Sequence, residues 1–194
     1  SINLSGTTHD ATGIAYSGSA TSHGTIFKAL SDNFSATDFH SSFYVAGGTL
    51  AGGQSGFGAL AWTSPSTNTT NALAISSTTT NYYKANNISA ATSSSTGYFI
   101  GTSLTDNKLY KNGVLIGTAS IPAGATMSSG YKGTNYYSSG GVPRIQFGTW
   151  WGGAGGNTNV KQSFSTFGYG LTPAEAAQLN TIVTTYQTSL GRLV

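Results

Sequence analysis

The end of the chain constrains its fold more than any other segment. Leu171-Thr172-Pro173-Ala174-Glu175 opens one helix, Leu190-Gly191-Arg192 closes it, and the sequence before it carries almost pure β and turn signal. Thr172 is placed to be the N-cap. Pro173 suits the first helical position, where its missing N–H leaves no bond unmade, and Glu175 completes a Thr-x-x-Glu capping box. Leu179, Ile182, Val183, Tyr186 and Leu190 recur at helical spacing and predict the buried face, and Gly191 suits the left-handed position after the last turn. A helix over 173–190 measures about 27 Å, enough to lie across a sheet of its own chain or on a neighbouring subunit.

Upstream, short apolar or alternating stretches recur between turn clusters. Strands are expected near 25–30, 42–46, 56–62, 72–76, 81–84, 97–101, 144–150 and 162–167. The strongest local signal is Lys108-Leu109-Tyr110-Lys111-Asn112-Gly113-Val114-Leu115-Ile116-Gly117. Asn-Gly is the preferred pair for a two-residue type I′ turn, because both positions need positive φ. With Thr105-Asp106-Asn107 as the preceding turn, strands near 98–102, 108–111 and 114–118 form a three-strand meander. The Ser-, Thr- and Gly-rich tracts at 64–70, 76–81, 89–97, 127–141 and 152–159 read as solvated loops, and no fixed-period repeat is visible. The pattern predicts an all-β antiparallel sandwich or barrel, the two-sheet sandwich being the reading taken, with one C-terminal helix, in a single domain over 1–194.

Charged residues make up 7% of the 194 residues and aromatics 12%, so the surface must be built from hydroxyls, amides and bare backbone. The net charge of +3 comes from eight scattered basic residues against five acids, with no clustered stripe of the kind that nucleic acid requires. The absence of cysteine excludes disulfides, thiolate catalysis and cysteine-held metal. No apolar run reaches the length of a membrane span, no signal peptide is expected, and a start at Ser1 fits a processed product or a piece of a longer protein.

Two segments carry a family resemblance. The 108–116 stretch resembles the Leu-Tyr-x-Asn-Gly hairpin of concanavalin A-like (laminin G-like) jelly-roll domains. Phe167-Gly168-Tyr169-Gly170-Leu171-Thr172-Pro173, continued by Tyr186-Gln187-Thr188-Ser189-Leu190-Gly191-Arg192, is similar to the ending of laminin G-like modules in bacteriophage and prophage virion proteins. The match covers 97–192, and the first half only by strand pattern. The resemblance implies a jelly roll on the virion surface, used for adhesion or for capsid or tail decoration. Its partners would be other virion proteins and a host-surface glycan, in a homo-oligomer.

The chemistry available is sparse. Glycoside hydrolysis needs two carboxylates across the scissile bond. The chain has one Glu, already explained by the capping box, and four Asp in expected turns. Gly53-Gln54-Ser55-Gly56 is the nearest approach to a nucleophile elbow and lacks its strand-turn-helix setting. His9 with Asp10, and Asp38 with His40, are two dyads without a third ligand, so no metal is assigned. Calcium stays unassigned as well, since Asp106-Asn107 and Asp32-Asn33 each stand alone. No catalytic residue and no cofactor are expected.

Glycan binding asks for less: an aromatic face for the apolar side of a pyranose, with amides and hydroxyls for its rim. Tyr131, Asn135, Tyr136 and Tyr137 in the 127–141 loop, Trp150-Trp151, and Tyr82 beside Asn81 and Tyr83 offer those parts. Alternation along a strand sends one ring of each adjacent pair to the core. The sequence therefore predicts a non-enzymatic adhesion or decoration module binding glycan. The alternatives are a purely structural coat or fibre component, and a carbohydrate-active enzyme, which the few carboxylates disfavour.

Overall fold

The Asn112-Gly113 turn forms as the sequence predicts. Asn112 has φ 49° and Gly113 φ 79°, the left-handed pair of a type I′ hairpin. The Asn112 side chain does more than tolerate that geometry. Its Oδ1 accepts the Tyr98 backbone N–H at 2.7 Å and its own N–H donates to the Tyr98 carbonyl at 2.8 Å, so it ties the hairpin tip to the next strand. Asn112→Ala is expected to lower the unfolding free energy by about 2 kcal/mol, from the left-handed penalty and the lost bond. Urea unfolding measures it, and a change under about 0.5 kcal/mol would refute the role.

This computed structural model describes residues 2–5, 7–11, 13–16, 23–26, 37–49, 55–60, 71–75, 79–83, 88–92, 94–121, 144–147 and 159–193. Among them run β1 (Ile2–Ser5), β2 (Thr7–Asp10), β3 (Gly13–Tyr16), β4 (His23–Ile26), β5 (Phe39–Thr49), β6 (Ser55–Leu60) and β7 (Asn71–Ile75). β8 (Thr79–Tyr83), β9 (Ile88–Ala91), β10 (Gly97–Ser103), β11 (Asp106–Lys111), β12 (Val114–Ser120), β13 (Arg144–Phe147), β14 (Asn159–Gly168) and α1 (Pro173–Ser189) follow. The meander β10–β11–β12 lies where it was expected. Two strands fall within tracts that composition assigns to loop: β9 holds Ser89–Ala91 of the Ser-rich run, and β8 begins at Thr79.

The strands make two antiparallel sheets, ordered β1-β4-β13-β6-β7-β8-β9 and β12-β11-β10-β5-β14-β3-β2. We call them sheet A and sheet B. β5 and β10 lie at the centre of sheet B, and all seven β10 residues are buried, because that strand is covered on both faces. One face meets sheet A. There Phe43 pairs with Phe99 across the strands, their rings stacked at 5.4 Å, and Val45 and Leu109 extend the layer. Along that side the Ile88 side chain of β9 packs on Gly117 of β12, joining the edges of the two sheets. The result is a two-sheet jelly-roll sandwich with a C-terminal helix.

Helix α1 covers the other face of sheet B. Its N-cap is Thr172, whose hydroxyl accepts from the Glu175 N–H while the Glu175 carboxylate accepts from the Thr172 N–H at 2.8 Å. Those bonds hold the Glu175 carboxyl below its ordinary range. At the far end Gly191 takes φ 66°, with Gly191 N–H on Thr188 O and Arg192 N–H on Gln187 O, the paired bonds of a Schellman motif.

The buried face of α1 differs from the sequence expectation. Ala176, Val183 and Gln187 are buried, whereas Ile182 is 56% and Tyr186 47% exposed, and Leu190 is also exposed. The cause is the surface beneath. Tyr44, Tyr98 and Tyr110 already project large rings from the sheet, and small side chains at 176 and 183 let the helix approach them closely. The bulkier residues are turned to the flank, where Tyr186 meets Phe164 at 6.1 Å.

Candidate functional site

Six of the seven expected ligand residues (Tyr131, Asn135, Tyr136, Tyr137, Trp150 and Trp151) lie outside the described residues. Tyr82 lies on β8, paired with Leu73 on one side and Ile88 on the other. Its register row is thus that of buried Ile88, while Asn81 shares the row of exposed Ser89. The rows of Ser89 continue across sheet A through Ala74 and Gly56, and the parallel rows through Tyr83, Ala72, Gly58 and Gln146. On sheet B, α1 lies over the face that carries Tyr44, Tyr98 and Tyr110.

Where α1 meets sheet B the structure assembles polar groups that are remote in sequence. Tyr98 Oη lies 2.7 Å from Ser42 Oγ, and Ser42 Oγ lies 2.5 Å from Thr166 Oγ1. Thr166 Oγ1 lies 3.2 Å from His40 Nε2, and His40 Nδ1 lies 2.6 Å from the Tyr169 carbonyl. The carbonyl can only accept, so Nδ1 carries the proton and Nε2 of the neutral ring accepts from Thr166. The donors then follow in one direction, from Tyr98 to Ser42 to Thr166 to His40. Burial pushes the His40 imidazole below its ordinary value, with the Tyr169 carbonyl opposing it. Burial also pushes the Tyr98 phenol up to about 12, against the hydroxyl bonds that lower it.

Of the residues considered for metal, Asp32 and Asn33 lie outside the described residues, and Asp10, Asp38, Asp106 and Asn107 have other partners. Asp38 Oδ1 accepts the Gly170 N–H at 2.7 Å, while the His40 ring is bonded to the Tyr169 carbonyl and to Thr166. Asp10 pairs with Lys161 at 2.7 Å on the surface, a contact of small energetic weight. Asp106 pairs with Lys108 at 2.8 Å, while its neighbour Asn107 points into the sandwich and accepts from Ser103 at 2.6 Å. Those two side chains leave on opposite faces of β11 and do not converge on a cation. Among the described residues no three His, Cys, Asp or Glu cluster as a metal site, and no described helix is long and apolar enough to cross a membrane.

No protein-family model matches the chain, and no curated protein sequence matches it. Solved structures do match. The botulinum neurotoxin serotype G binding domain aligns over 95% of this chain and 47% of its own, at 14% identity and a TM-score of 0.67. Trypanosoma rangeli sialidase aligns over 92% of this chain and 29% of its own, at 13% identity and 0.59. The Ruminococcus gnavus IT-sialidase CBM40 bound to α2,3-sialyllactose aligns over 93% of this chain and 98% of its own, at 12% identity and 0.53. The chain therefore spans less than half of the first two and nearly all of the third. At these identities the likeness establishes the β-sandwich fold.

Proposed function

We propose that this chain is a non-catalytic glycan-binding module. The observation that carries the reading is the reciprocal coverage with the IT-sialidase CBM40, whose solved structure holds α2,3-sialyllactose. The surface chemistry agrees with it. Five acids in 194 residues leave a face of hydroxyls and amides, suited to hydrogen-bonding sugar rims rather than to acid–base cleavage. With one side of sheet B under α1, the reading places the ligand on sheet A, where register aligns Tyr83, Ala72, Gly58 and Gln146 across neighbouring strands. The 127–141 loop and Trp150-Trp151 supply the aromatic platforms.

Glycan retention on affinity gels, with melting recorded in parallel, tests this. Trp150→Ala and Tyr137→Ala are each expected to weaken retention about tenfold or more while leaving the melting temperature within about 2 °C. Tyr186→Ala, on the helix flank, is expected to leave retention unchanged. Loss of folding in both ring variants would assign those rings to the core and remove them from the site. A wild-type chain that retains no glycan across an array of sialylated and neutral sugars would overturn the function itself.

The virion setting is part of the same proposal and rests on the sequence resemblance at 108–116 and 167–192. In it, 1–194 is a single jelly-roll domain on the virion surface, in a homo-oligomer beside other virion proteins. A structural coat role without sugar is the second reading. Ile182, Tyr186, Leu190 and Leu193 favour it, since they leave apolar surface exposed along one flank of α1.

A further inference from the structure

We propose that His40 is a proton-operated latch on helix α1: neutral, it holds the 168–172 link against sheet B, and protonated, it releases that link. The argument starts from the count of hydrogens. In the neutral state four donors (Tyr98 Oη, Ser42 Oγ, Thr166 Oγ1 and His40 Nδ1) meet four acceptors (Ser42 Oγ, Thr166 Oγ1, His40 Nε2 and Tyr169 O). Protonation adds a fifth donor at Nε2 and deletes the acceptor that stood there. Thr166 must turn its hydrogen away, the reversal runs back along the hydroxyls, and one hydrogen ends without its acceptor. Ser42 and Tyr98 are buried at 0% and 1% exposure, so water does not take that hydrogen up. The new charge is buried too, His40 being 8% exposed.

The far end of this chain is the entry to α1. The Tyr169 carbonyl belongs to the short link between β14 and the helix, and two other side chains, one just before β5 and one on β10, hold the same link. Asp38 accepts from the Gly170 N–H, and Thr102 Oγ1 accepts from the Leu171 N–H at 2.7 Å and donates to its carbonyl at 3.3 Å. The ring of His40 also fills the space over Gly168, where a Cβ would lie 2.9 Å from Cε1. A shift of the imidazole therefore loads the whole link, and behind it lie the apolar contacts of Ala176 with Tyr98, Ile100 and Tyr110.

The other ionisable groups on this side of the sheet have their own partners or positions. Asp38 faces the link from the start of β5, and Lys108 is paired with Asp106 on β11. Glu175 on α1 is engaged with Thr172, Tyr98 ends the chain on β10, Tyr110 lies under the helix, and Tyr169 is exposed. His40's own displacement comes from burial, opposed by the carbonyl it donates to. The sign follows. The folded ring binds its proton less readily than a free imidazole at 6.5, so the released state is the better base. The latch is fully closed above that value, and its contribution is lost as pH falls through the lowered folded value.

Two measurements on the whole chain test the proposal. Histidine-15N spectra of the wild type report the tautomer and midpoint of His40 directly. The expected result is the Nδ1–H form, titrating below an ordinary imidazole. Hydrogen exchange at about pH 7.5 and at a pH below the His40 midpoint found in those spectra, with the 170–183 amides normalised to those of β10, reports release. Their relative protection is expected to fall about threefold or more in the wild type and to stay level in His40→Gln, whose amide keeps one donor and one acceptor but does not titrate. Should that variant fail to fold, Thr166→Val serves instead: it removes the hydroxyl that donates to neutral Nε2 and that would have to accept from protonated Nε2, and is expected to move the His40 midpoint. An ordinary or raised midpoint, protection indifferent to pH, an equal loss in His40→Gln, or an unmoved midpoint in Thr166→Val would each overturn the latch.

Discussion

Replacing Phe99 with alanine is expected to cost about 3–5 kcal/mol of unfolding free energy, the largest loss predicted for any single side chain of this sandwich. Phe99 is fully buried on a strand that has no exposed residue, and its ring stacks on Phe43 at 5.4 Å. The Lys111 ammonium lies 5.3 Å from the same ring, held there by a bond to the Ser94 carbonyl. Truncation therefore removes a large transfer term, leaves a cavity between the sheets, and strips Phe43 and Lys111 of a shared partner. Phe99→Leu keeps most of the volume and is expected to cost only about 1–1.5 kcal/mol. Urea unfolding of both variants measures the gap between them. If both changes fall below about 1 kcal/mol, the two sheets are not packed through β5 and β10 as described. Against a total stability of about 5–15 kcal/mol, the alanine variant approaches the limit of folding.

The features that could be read from the sequence are those whose physics is local. The 112–113 turn needs two left-handed residues in succession, and Asn-Gly states that requirement within two letters. The capping box and the glycine after α1 are equally short-range, and both formed as written. Strands β1 to β3 and β9 were not legible, because Thr7–Asp10 and Ile88–Ala91 are short, polar or small, and lie at or near sheet edges. Only their pairing across the sheet makes them strands. The rotation of α1 was hidden for a related reason. Its apolar residues span a broad arc, and the choice within it was made by Tyr44, Tyr98 and Tyr110, which sequence spacing cannot place beneath it.

The polar chain at His40 shows the same limit at its sharpest. His40 and its partners Thr166 and Tyr169 are 126 and 129 residues apart. In the sequence the only visible neighbour of His40 was Asp38, a dyad without a third ligand that read as a surface turn, whereas His40 lies buried on β5. In the fold Asp38 immediately precedes β5 and His40 is its second residue, and each bonds a different point of the same link. The signal that could have hinted at this is Gly168-Tyr169-Gly170, since two glycines around a tyrosine mark a backbone approached closely from one side.

That close approach makes Gly170→Ala the second large prediction, an expected loss of about 2–3 kcal/mol from a single added methyl. A Cβ at 170 would press on the Ser103 carbonyl and come within 3.3 Å of Asp38 Oδ1. The obstruction is backbone of the buried strand β10, which cannot turn aside as a side chain would. The link must move instead. Its bonds to Asp38, Thr102 and His40 all depend on that position, so they weaken together rather than singly. The variant should thus imitate acid at neutral pH, with reduced protection of the 170–183 amides and a His40 midpoint returned toward that of a free imidazole. Thermal melting and histidine-15N titration of the same sample check both halves. A destabilised protein whose His40 still titrates as in the wild type would show that Gly170 packs against Ser103 without governing the latch. An unchanged melting temperature would mean that the link does not lie as close to β10 as the structure places it.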